Sequence, residues 1–331
     1  MQETVKISKP YVYNGSFSIK KFIYPIVIFS LIIISIILYQ KVINTIPNIV
    51  TEVTPTPIET IFYQPLLKDN MDWDRTFKQL QQAHIKKLVL QWSKFGVVDF
   101  LKQDQWLKTI LTYAQKYQIK VIIGLYGDKN YFKTLENRTT NIPKYLKTLK
   151  AQNIVQARKI YTIAQYFDSF DGYYVYDEID DTNFREQERQ VYLKEYLQTL
   201  SLSLNNISTH PIYISGYFSN KMNPIDYANM FSNITQNNYI VLLQSGIGAN
   251  LVNSGQSVRY IQIFSENFKG LFLPIIESFK MEEDQIKAID FDSLNRQIKL
   301  INSTIRNKPM ALFSLRYFLD EKVFKEYLSH Y

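Results

Sequence analysis

From residue 58 onward, short apolar runs rich in β-branched and aromatic residues recur every ~25 to 45 residues, each followed by a stretch with helical character. The runs predict eight strands, at residues 60–64, 87–92, 121–126, 172–178, 211–217, 239–244, 270–277 and 310–317. Near-continuous apolar strands are typical of a parallel sheet covered on both faces. Eight such units in a span close to the roughly 250 residues of a (β/α)8 barrel predict a TIM barrel.

The alternative is a doubly wound open sheet, which usually carries a glycine-rich phosphate turn after its first strand. Residues 124–128, GLYGD, lack the spacing of both common phosphate-binding motifs. The sequence therefore favours the barrel and indicates no nucleotide partner. Pro274 lies inside the predicted seventh strand, where a missing N–H predicts a bulge.

Composition excludes several chemistries. The chain has no cysteine, which excludes disulfides, thiolate nucleophiles and iron–sulfur clusters. Its three histidines, His84, His210 and His330, are far apart in sequence and are interpreted as structural. No metal site and no cofactor are predicted.

The net charge of +8 does not indicate a nucleic-acid partner. Residues 1–57 hold five lysines and two glutamates, so about three of these charges belong to the N-terminal segment. The other lysines are spread along helical stretches instead of forming a basic run with interleaved aromatics. We interpret them as solvated surface.

Residues 22–39, FIYPIVIFSLIIISIILY, form an uncharged apolar run long enough to cross a bilayer as a helix. Lysines precede the run more densely than they follow it, which predicts a cytoplasmic N-terminal tail at residues 1–21. A cleaved signal peptide is the alternative, but no small-residue cleavage pattern follows. We expect a membrane anchor, a Thr/Pro-rich linker at 40–57 and a periplasmic or extracellular domain at 58–331.

A barrel of this kind carries its site at the carboxyl ends of its strands. Polar and aromatic residues lie at these predicted ends, and they are Gln64, Gln91, Trp92, Tyr126, Asp177, Tyr217, Gln244 and Tyr317. Amides and carboxylates bind hydroxyl groups, and aromatic rings stack on the apolar faces of sugars. These residues predict a site for a polysaccharide or oligosaccharide. Trp92 would either stack on a sugar or only close the top of the barrel.

Two carboxylates stand at the ends of strands 4 and 7, Glu178 and Glu277, where they can face each other across the mouth. Glycoside hydrolysis requires such a pair, one protonated as the acid and one ionised as nucleophile or base. The alternative is two unrelated acids at strand ends.

The acidic cluster of Asp177, Glu178, Asp180 and Asp181 has two interpretations. Several carboxylates together suit Ca²⁺ or Mg²⁺, although the EF-hand spacing is absent. Asp180 and Asp181 also fit as caps of a helix beginning near Thr182, which is the interpretation we favour.

The segments YDEIDD at 176–181 and IIESF at 275–279 resemble the clan A glycoside hydrolases, whose acid/base and nucleophile glutamates end strands 4 and 7. Five segments look like a bacterial family of uncharacterised glycoside-hydrolase-like TIM barrels over roughly residues 58–320, and these are FYQPL at 62–66, LVLQWSKFG at 88–96, EIDD at 178–181, ISGYFS at 214–219 and LLQSGIGA at 242–249. The resemblance implies that Glu178 is the acid/base and Glu277 the nucleophile of a retaining hydrolase.

Two positions depart from the families. Clan A enzymes usually have asparagine before the strand-4 glutamate, whereas this chain has the ionisable Asp177. In the closer family glutamine-aspartate is usual at the end of strand 6, whereas here Gln244 precedes Ser245.

Together these features predict a membrane-anchored, extracytoplasmic glycoside hydrolase that acts on envelope glycans or exopolysaccharide. One alternative is a carbohydrate-binding pseudoenzyme that keeps the polar and aromatic lining without productive carboxylates. Another is a scaffold of an envelope polysaccharide assembly system.

Overall fold

The computed structural model describes residues 58–283, 285–306, 308–319 and 321–331. The predicted tail, membrane anchor and linker, residues 1–57, lie outside the described residues. Within the described ranges, no helix combines the length and the apolar composition needed to cross a bilayer.

Eight parallel strands close into a barrel. The strands are β1 Ile58–Tyr63, β2 Lys87–Leu90, β3 Lys120–Gly124, β4 Phe170–Asp180, β5 Ile212–Tyr217, β6 Ile240–Gln244, β7 Phe272–Glu277 and β8 Met310–Phe313. Each strand pairs with its neighbours along the chain, and β8 closes the ring on β1. The prediction of a (β/α)8 barrel is confirmed.

Strand alternation separates two cores. One residue from each strand fills the barrel interior, and the set is Phe62, Val89, Ile122, Tyr174, Tyr213, Leu242, Ile275 and Ala311. The residues on either side of these point outward and join the larger apolar core between strands and helices. Because successive side chains of a strand face opposite sides, this layer fixes which strand-end residues reach the mouth.

Helices cover the barrel between the strands. They are α1 Trp73–Gln82, α2 Asp104–Lys116, α3 Tyr131–Glu136, α4 Ile142–Ala164, α5 Gln187–Asn205, α6 Pro224–Thr235, α7 Ser254–Asn267, α8 Phe291–Thr304, α9 Leu315–Phe318 and α10 Glu321–His330. Their starts follow ordinary capping chemistry. Asp72 caps α1, Asn141 caps α4, which has proline in its first turn, and Asn253 forms a capping box with Gln256 at α7.

A polar network lies at the end of the barrel opposite the mouth. The Lys87 ammonium donates to Asp171 Oδ2 at 2.8 Å and to the Tyr213 hydroxyl at 3.0 Å, and that hydroxyl donates to the same carboxylate at 2.7 Å. Tyr213 belongs to the inner layer. The network pairs these three polar groups with one another. The inner layer of side chains fills the barrel, which is therefore not a pore.

Several predicted boundaries were wrong. Strand 8 ends at Phe313, and Tyr317 lies in the short helix α9, because the chain turns immediately after the last paired residue. The helix after β4 begins at Gln187, so Asp180 and Asp181 cap no helix at Thr182.

The bulge expected at Pro274 is absent from the described pairing of β7 with β6, where Pro274 lies opposite Leu243 in regular register. Pairing of β7 with β8 begins only at Ile275. The pairing with β8 therefore requires no backbone N–H at position 274. The strand accommodates proline there without a register shift.

A register shift occurs instead in β4. Val175 lies opposite Ile214 of β5, but Ile179 lies opposite Gly216, so β4 has two more residues than β5 over the same span. The extra length lies at residues 176–178, the segment that carries Glu178. Bulges of this kind re-aim side chains near active sites.

Candidate active site

Glu178 and Glu277 lie at the mouth of the barrel, at the carboxyl ends of β4 and β7. On β4, Tyr174 and Tyr176 line the interior, and Glu178 continues that alternation. On β7, Leu273 and Ile275 line the interior and Glu277 follows them in the same alternation. Adjacent residues at the end of β6 contact the two carboxyl groups, since Gln244 donates to Glu178 and Ser245 to Glu277. The charge of Glu277 is also one of the causes that raise the pKa of Glu178.

The Glu178 carboxyl is held in a state suited to a general acid. Burial is the main cause that raises its pKa to about 7, and the charges of Asp180 and Glu277 add to it. Gln244 opposes this effect by donating from Nε2 to Oε1 at 3.0 Å. A pKa near neutrality lets this group hold a proton and also release it at physiological pH.

The Glu277 carboxylate has a different environment. It is 1% exposed, and its Oε2 accepts the backbone N–H of Gly248 at 2.5 Å and the Ser245 hydroxyl at 3.3 Å. Burial raises its pKa, while the N–H groups of Gly246, Gly248 and Ala249 lower it. The hydrogen bonds to Oε2 favour the ionised form and oppose burial, and the pKa of Glu277 stays above its ordinary value.

The other oxygen of Glu277, Oε1, is buried without a hydrogen-bond partner among the described residues. A buried carboxylate oxygen is costly to leave unpaired. Oε1 is therefore the carboxylate oxygen of Glu277 whose hydrogen-bonding capacity the described residues leave unused. The main-chain oxygen of Glu277 is separately fixed by Gln297 Nε2 at 3.1 Å.

Asp177 does not face the mouth. Its neighbours in the alternation, Val175 and Ile179, belong to the outer core, and its Oδ2 accepts from the Tyr196 hydroxyl and from Asn153 Nδ2. Burial raises its pKa to about 7, while these two hydrogen bonds lower it. The prediction that Asp177 contacts a sugar is therefore wrong, because the Asp177 side chain lies between β4 and the helices.

Asp180 and Asp181 organise loops. Asp180 accepts the N–H groups of Thr182 and Asn183 at 2.8 and 2.6 Å. Asp181 accepts the N–H groups of Ser219 and Lys221, both at distances below 2.9 Å, and so ties the end of β4 to the loop after β5. Among the residues that the structure describes, no group of three or more potential ligands is arranged to hold a metal ion.

Two glutamines were predicted at strand ends. Gln91 continues the inward alternation of β2 after Val89, is 4% exposed, and leaves Oε1 without a hydrogen-bond partner within the described ranges. Gln64 is half-buried, and its carbonyl oxygen accepts from Arg316 at 3.2 Å. Gln91 thus offers a second unpaired buried oxygen close to the interior of the barrel.

The structure places Trp92 in the top of the barrel. Its indole N–H donates to the Pro65 carbonyl at 3.1 Å, and only 6% of the residue is exposed. Its ring stacks on Phe95 with centroids 4.5 Å apart and meets the edge of Tyr176 at 5.6 Å. The half-buried rings of Phe95 and Tyr176 are therefore more accessible than the indole.

Three tyrosines complete the predicted set. Tyr126 follows β3 and is half-buried, and the Lys94 ammonium lies 5.3 Å from the centroid of its ring. Tyr217 ends β5 in the inward alternation, and burial followed by the charges of Asp180 and Glu178 raises its pKa. Tyr317 in α9 contacts the ring of Phe279 with centroids 6.0 Å apart.

Some site groups were not predicted as such. The loop after β6 supplies the Ser245 hydroxyl and the Gly248 N–H to Glu277, and the Tyr131 hydroxyl fixes the main-chain oxygen of Glu178 at 3.0 Å. A side chain at Gly248 would place its Cβ 2.3 Å from the Phe279 carbonyl oxygen. The two glycines of SGIGA were the sequence feature that could have indicated this contact, because glycine permits the close approach of backbone atoms.

Comparisons with solved structures agree on the fold. A protein assigned as an alpha-L-fucosidase from Bacteroides thetaiotaomicron matches with a TM-score of 0.65 at 15% identity, over 83% of this chain and 93% of that one. A GH18 chitinase from Pseudoalteromonas aurantia matches with a TM-score of 0.55 at 10% identity, over 82% and 99%. The resemblance to glycoside hydrolase barrels is confirmed for the fold.

Sequence comparison identifies the family. Uncharacterized protein YbcH of Escherichia coli (strain K12) is 29% identical over 210 residues, which cover 61% of this chain and 69% of that protein. The model of DUF4434, a domain of unknown function, matches residues 58–320, nearly the whole barrel. The chain therefore belongs to the DUF4434 family, whose barrel here resembles those of glycoside hydrolases.

Proposed function

We propose that the barrel hydrolyses glycosidic bonds, with Glu178 as the general acid/base and Glu277 as the nucleophile. The observation that carries the proposal is the unequal environment of two carboxyl groups at one barrel mouth. Burial and the charges of Asp180 and Glu277 raise the pKa of Glu178 to about 7, whereas at Glu277 the Gly248 N–H and the Ser245 hydroxyl oppose the pKa increase caused by burial. Acid and nucleophile assignments follow from such a difference.

In the first step the Glu178 carboxyl gives its proton to the glycosidic oxygen as the bond from that oxygen to the anomeric carbon breaks. The Glu277 carboxylate forms a bond to the anomeric carbon, and the leaving sugar departs with the proton. Oε1 of Glu277 suits this attack because Oε2 is already held by Gly248 and Ser245. In the second step the ionised Glu178 takes a proton from water, whose oxygen displaces Glu277 and restores both groups.

The polar and aromatic groups near the carboxylates support a carbohydrate substrate. Gln91 Oε1 is a buried acceptor without a partner in the described residues, and a sugar hydroxyl would satisfy it. The rings of Phe95 and Tyr176 offer faces for stacking. Gln64, Tyr126, Tyr217, Gln244 and Tyr317 are proposed as further contacts.

We further propose that residues 22–39 anchor the chain in a membrane with the barrel outside the cytoplasm. β1 begins at Ile58, at the end of the barrel opposite the mouth. Such an anchor would keep the barrel near envelope glycans or exopolysaccharide.

The direct test is hydrolysis of a panel of 4-nitrophenyl glycosides and polysaccharides by the full-length chain and by Glu277→Gln. We expect product release by the wild type and a loss of at least 10³-fold in Glu277→Gln, because the amide cannot form the glycosyl ester. Glu266→Gln, on the exposed surface of α7, is the matched control and should retain full activity.

The stereochemistry of the first product, followed by NMR, tests the retaining course. Retention supports a covalent intermediate on Glu277, and inversion would assign that residue to activating water instead. Binding of a glycan without hydrolysis, unchanged in Glu277→Gln, would favour the carbohydrate-binding pseudoenzyme.

A further inference from the structure

An open cleft of about 730 Å³ lies between α3 and the start of α5. It falls within the size range of ligand-binding clefts. Its lining is polar and includes Glu136, Arg138, Asn183, Glu186, Arg189 and Tyr192. We call it the α3–α5 cleft.

Helix α3 forms a wall shared by the mouth and the cleft. At its start, the Tyr131 hydroxyl donates to the main-chain oxygen of Glu178 at 3.0 Å, and Phe132 contacts the ring of Tyr217 at 5.9 Å. At its end, Leu135 and Glu136 line the cleft. The charge of Glu136 also raises the pKa of Tyr217, so the two spaces are close neighbours.

Asn183 joins the opposite wall to the catalytic strand. Its Nδ2 donates to Asp180 Oδ2 at 2.9 Å, and Asp180 is one of the charges that raise the pKa of Glu178. Arg189 connects both walls, because Nη1 donates to the carbonyl oxygens of Leu135 at 2.8 Å and Asn183 at 3.2 Å. Arg189 therefore fixes the two walls relative to each other, and a preformed cleft lowers the entropy cost of binding.

We propose that the α3–α5 cleft is a second carbohydrate subsite, so that the substrate is a chain of several sugars extending from the mouth past α3. This inference rests on the proposed hydrolase function. Guanidinium, carboxylate and amide groups bind sugar hydroxyls in pairs, and Tyr192 supplies an aromatic ring. Both signs of charge line the cleft, which favours a hydroxyl-rich chain over a strongly charged one.

The test blocks the cleft without removing packing. Glu186 is exposed, lines the cleft, and makes no capping hydrogen bond at the start of α5, so Glu186→Trp should fold normally and fill the space. Val191→Trp introduces the same side chain at an exposed position of α5 outside the cleft, and it is the matched control. A second variant, Arg189→Lys, keeps the positive charge but loses the planar set of N–H donors of the guanidinium.

Each variant is prepared in the Glu277→Gln background and titrated with cellohexaose, chitohexaose, xylohexaose and mannohexaose by calorimetry. We expect at least one hexasaccharide to bind, with affinity reduced about tenfold or more by Glu186→Trp or Arg189→Lys and unchanged by Val191→Trp. Binding of no hexasaccharide, or equal binding by all variants, would overturn the subsite.

Hydrolysis separates this inference from the proposed function. In the active chain, Glu186→Trp should slow cleavage of the hexasaccharide but leave cleavage of the 4-nitrophenyl monoglycoside within about twofold. Equal loss on both substrates would overturn the subsite while leaving the hydrolase intact. Binding that depends on the cleft in a chain without hydrolysis would support the subsite and contradict the hydrolase.

Discussion

Gln244 Nε2 donates a hydrogen bond of 3.0 Å to Glu178 Oε1, and it is the principal hydrogen bond that lowers the pKa of this carboxyl. The next residue, Ser245, donates to Glu277. Adjacent residues at the end of β6 therefore contact the two proposed catalytic groups. A substitution at Gln244 should alter Glu178, and one at Ser245 should alter Glu277.

The first prediction concerns Gln244→Leu. Gln244 stabilises the ionised form of Glu178, so its loss should raise the pKa of Glu178 by about one unit, equivalent to ~1.4 kcal/mol. The acid would stay protonated to higher pH. The alkaline limb of the profile of kcat/KM against pH should therefore shift to higher pH. Gln262→Leu, on the exposed face of α7, should leave the profile unchanged. Movement of the alkaline limb to lower pH would contradict the assignment of Glu178 as the acid.

The second prediction concerns Gly248→Ala. The added Cβ would lie 2.3 Å from the Phe279 carbonyl oxygen and 2.9 Å from Glu277 Cβ, so the loop must shift away from Glu277. We expect a lower free energy of unfolding by about 1–3 kcal/mol and a loss of hydrolysis. Both are measured on the same preparation, by urea denaturation and by glycoside cleavage.

Gly255→Ala is the control for that substitution. A Cβ at Gly255, near the start of α7, meets only Asn253 Oδ1 at 3.5 Å, and alanine favours the helix. Its stability should equal or slightly exceed that of the wild type. Full activity in Gly248→Ala would show that the N–H contact with Glu277 is dispensable.

The third prediction concerns the buried acid Asp177, whose folded-state pKa is raised to about 7. Its ordinary value is about 4, so between these values the folded chain binds more protons than the unfolded chain. This stabilising contribution is complete below pH ~4 and is lost as the pH rises through 7. The substitution Asp177→Asn, whose amide mimics the protonated acid, should therefore stabilise the chain at pH 8.

The measurement is the free energy of unfolding of the wild type and of Asp177→Asn at pH 5 and pH 8. We expect near equality at pH 5 and an advantage for the variant on the order of a few kcal/mol at pH 8. The principal causes of the raised pKa of Glu178 and Glu277 lie at residues other than Asp177, so the difference between the two chains reports on Asp177. An advantage that is independent of pH would contradict burial of a titrating carboxyl.

The barrel was predictable because its signals are local. Each of the eight strands is a short apolar run, and the core positions of β4 and β7 follow from strand alternation. Glu178 and Glu277 could be placed at the mouth for the same reason. Tyr317 was misplaced because the apolar character of β8 continues into α9, where only backbone geometry marks the change.

The roles of adjacent residues were not predictable. Asp177 and Glu178 differ in which side of β4 they face, and the two-residue excess of β4 over β5 lies in the same segment. The backbone N–H groups around Glu277 depend on the fold of the SGIGA loop, which carries no side-chain signal beyond its glycines. Contacts made by main-chain atoms after a strand are set by loop geometry instead of residue type.

The last prediction separates the two roles considered for Trp92. The indole is 6% exposed and donates to the Pro65 carbonyl, so Trp92→Phe should lower the free energy of unfolding by about 1–3 kcal/mol. Its KM for a glycoside should stay close to that of the wild type. Phe95→Leu removes a half-buried ring from the same stack while keeping an apolar side chain.

For Phe95→Leu we expect kcat/KM to fall roughly two- to tenfold, as for loss of one stacking contact, with little change in stability. The two variants thus give opposite patterns in urea denaturation and in steady-state kinetics. If Trp92→Phe raises KM and leaves stability unchanged, the indole must leave Pro65 and contact the sugar. The same pattern in both variants would mean that the Trp92–Phe95 stack acts as one unit.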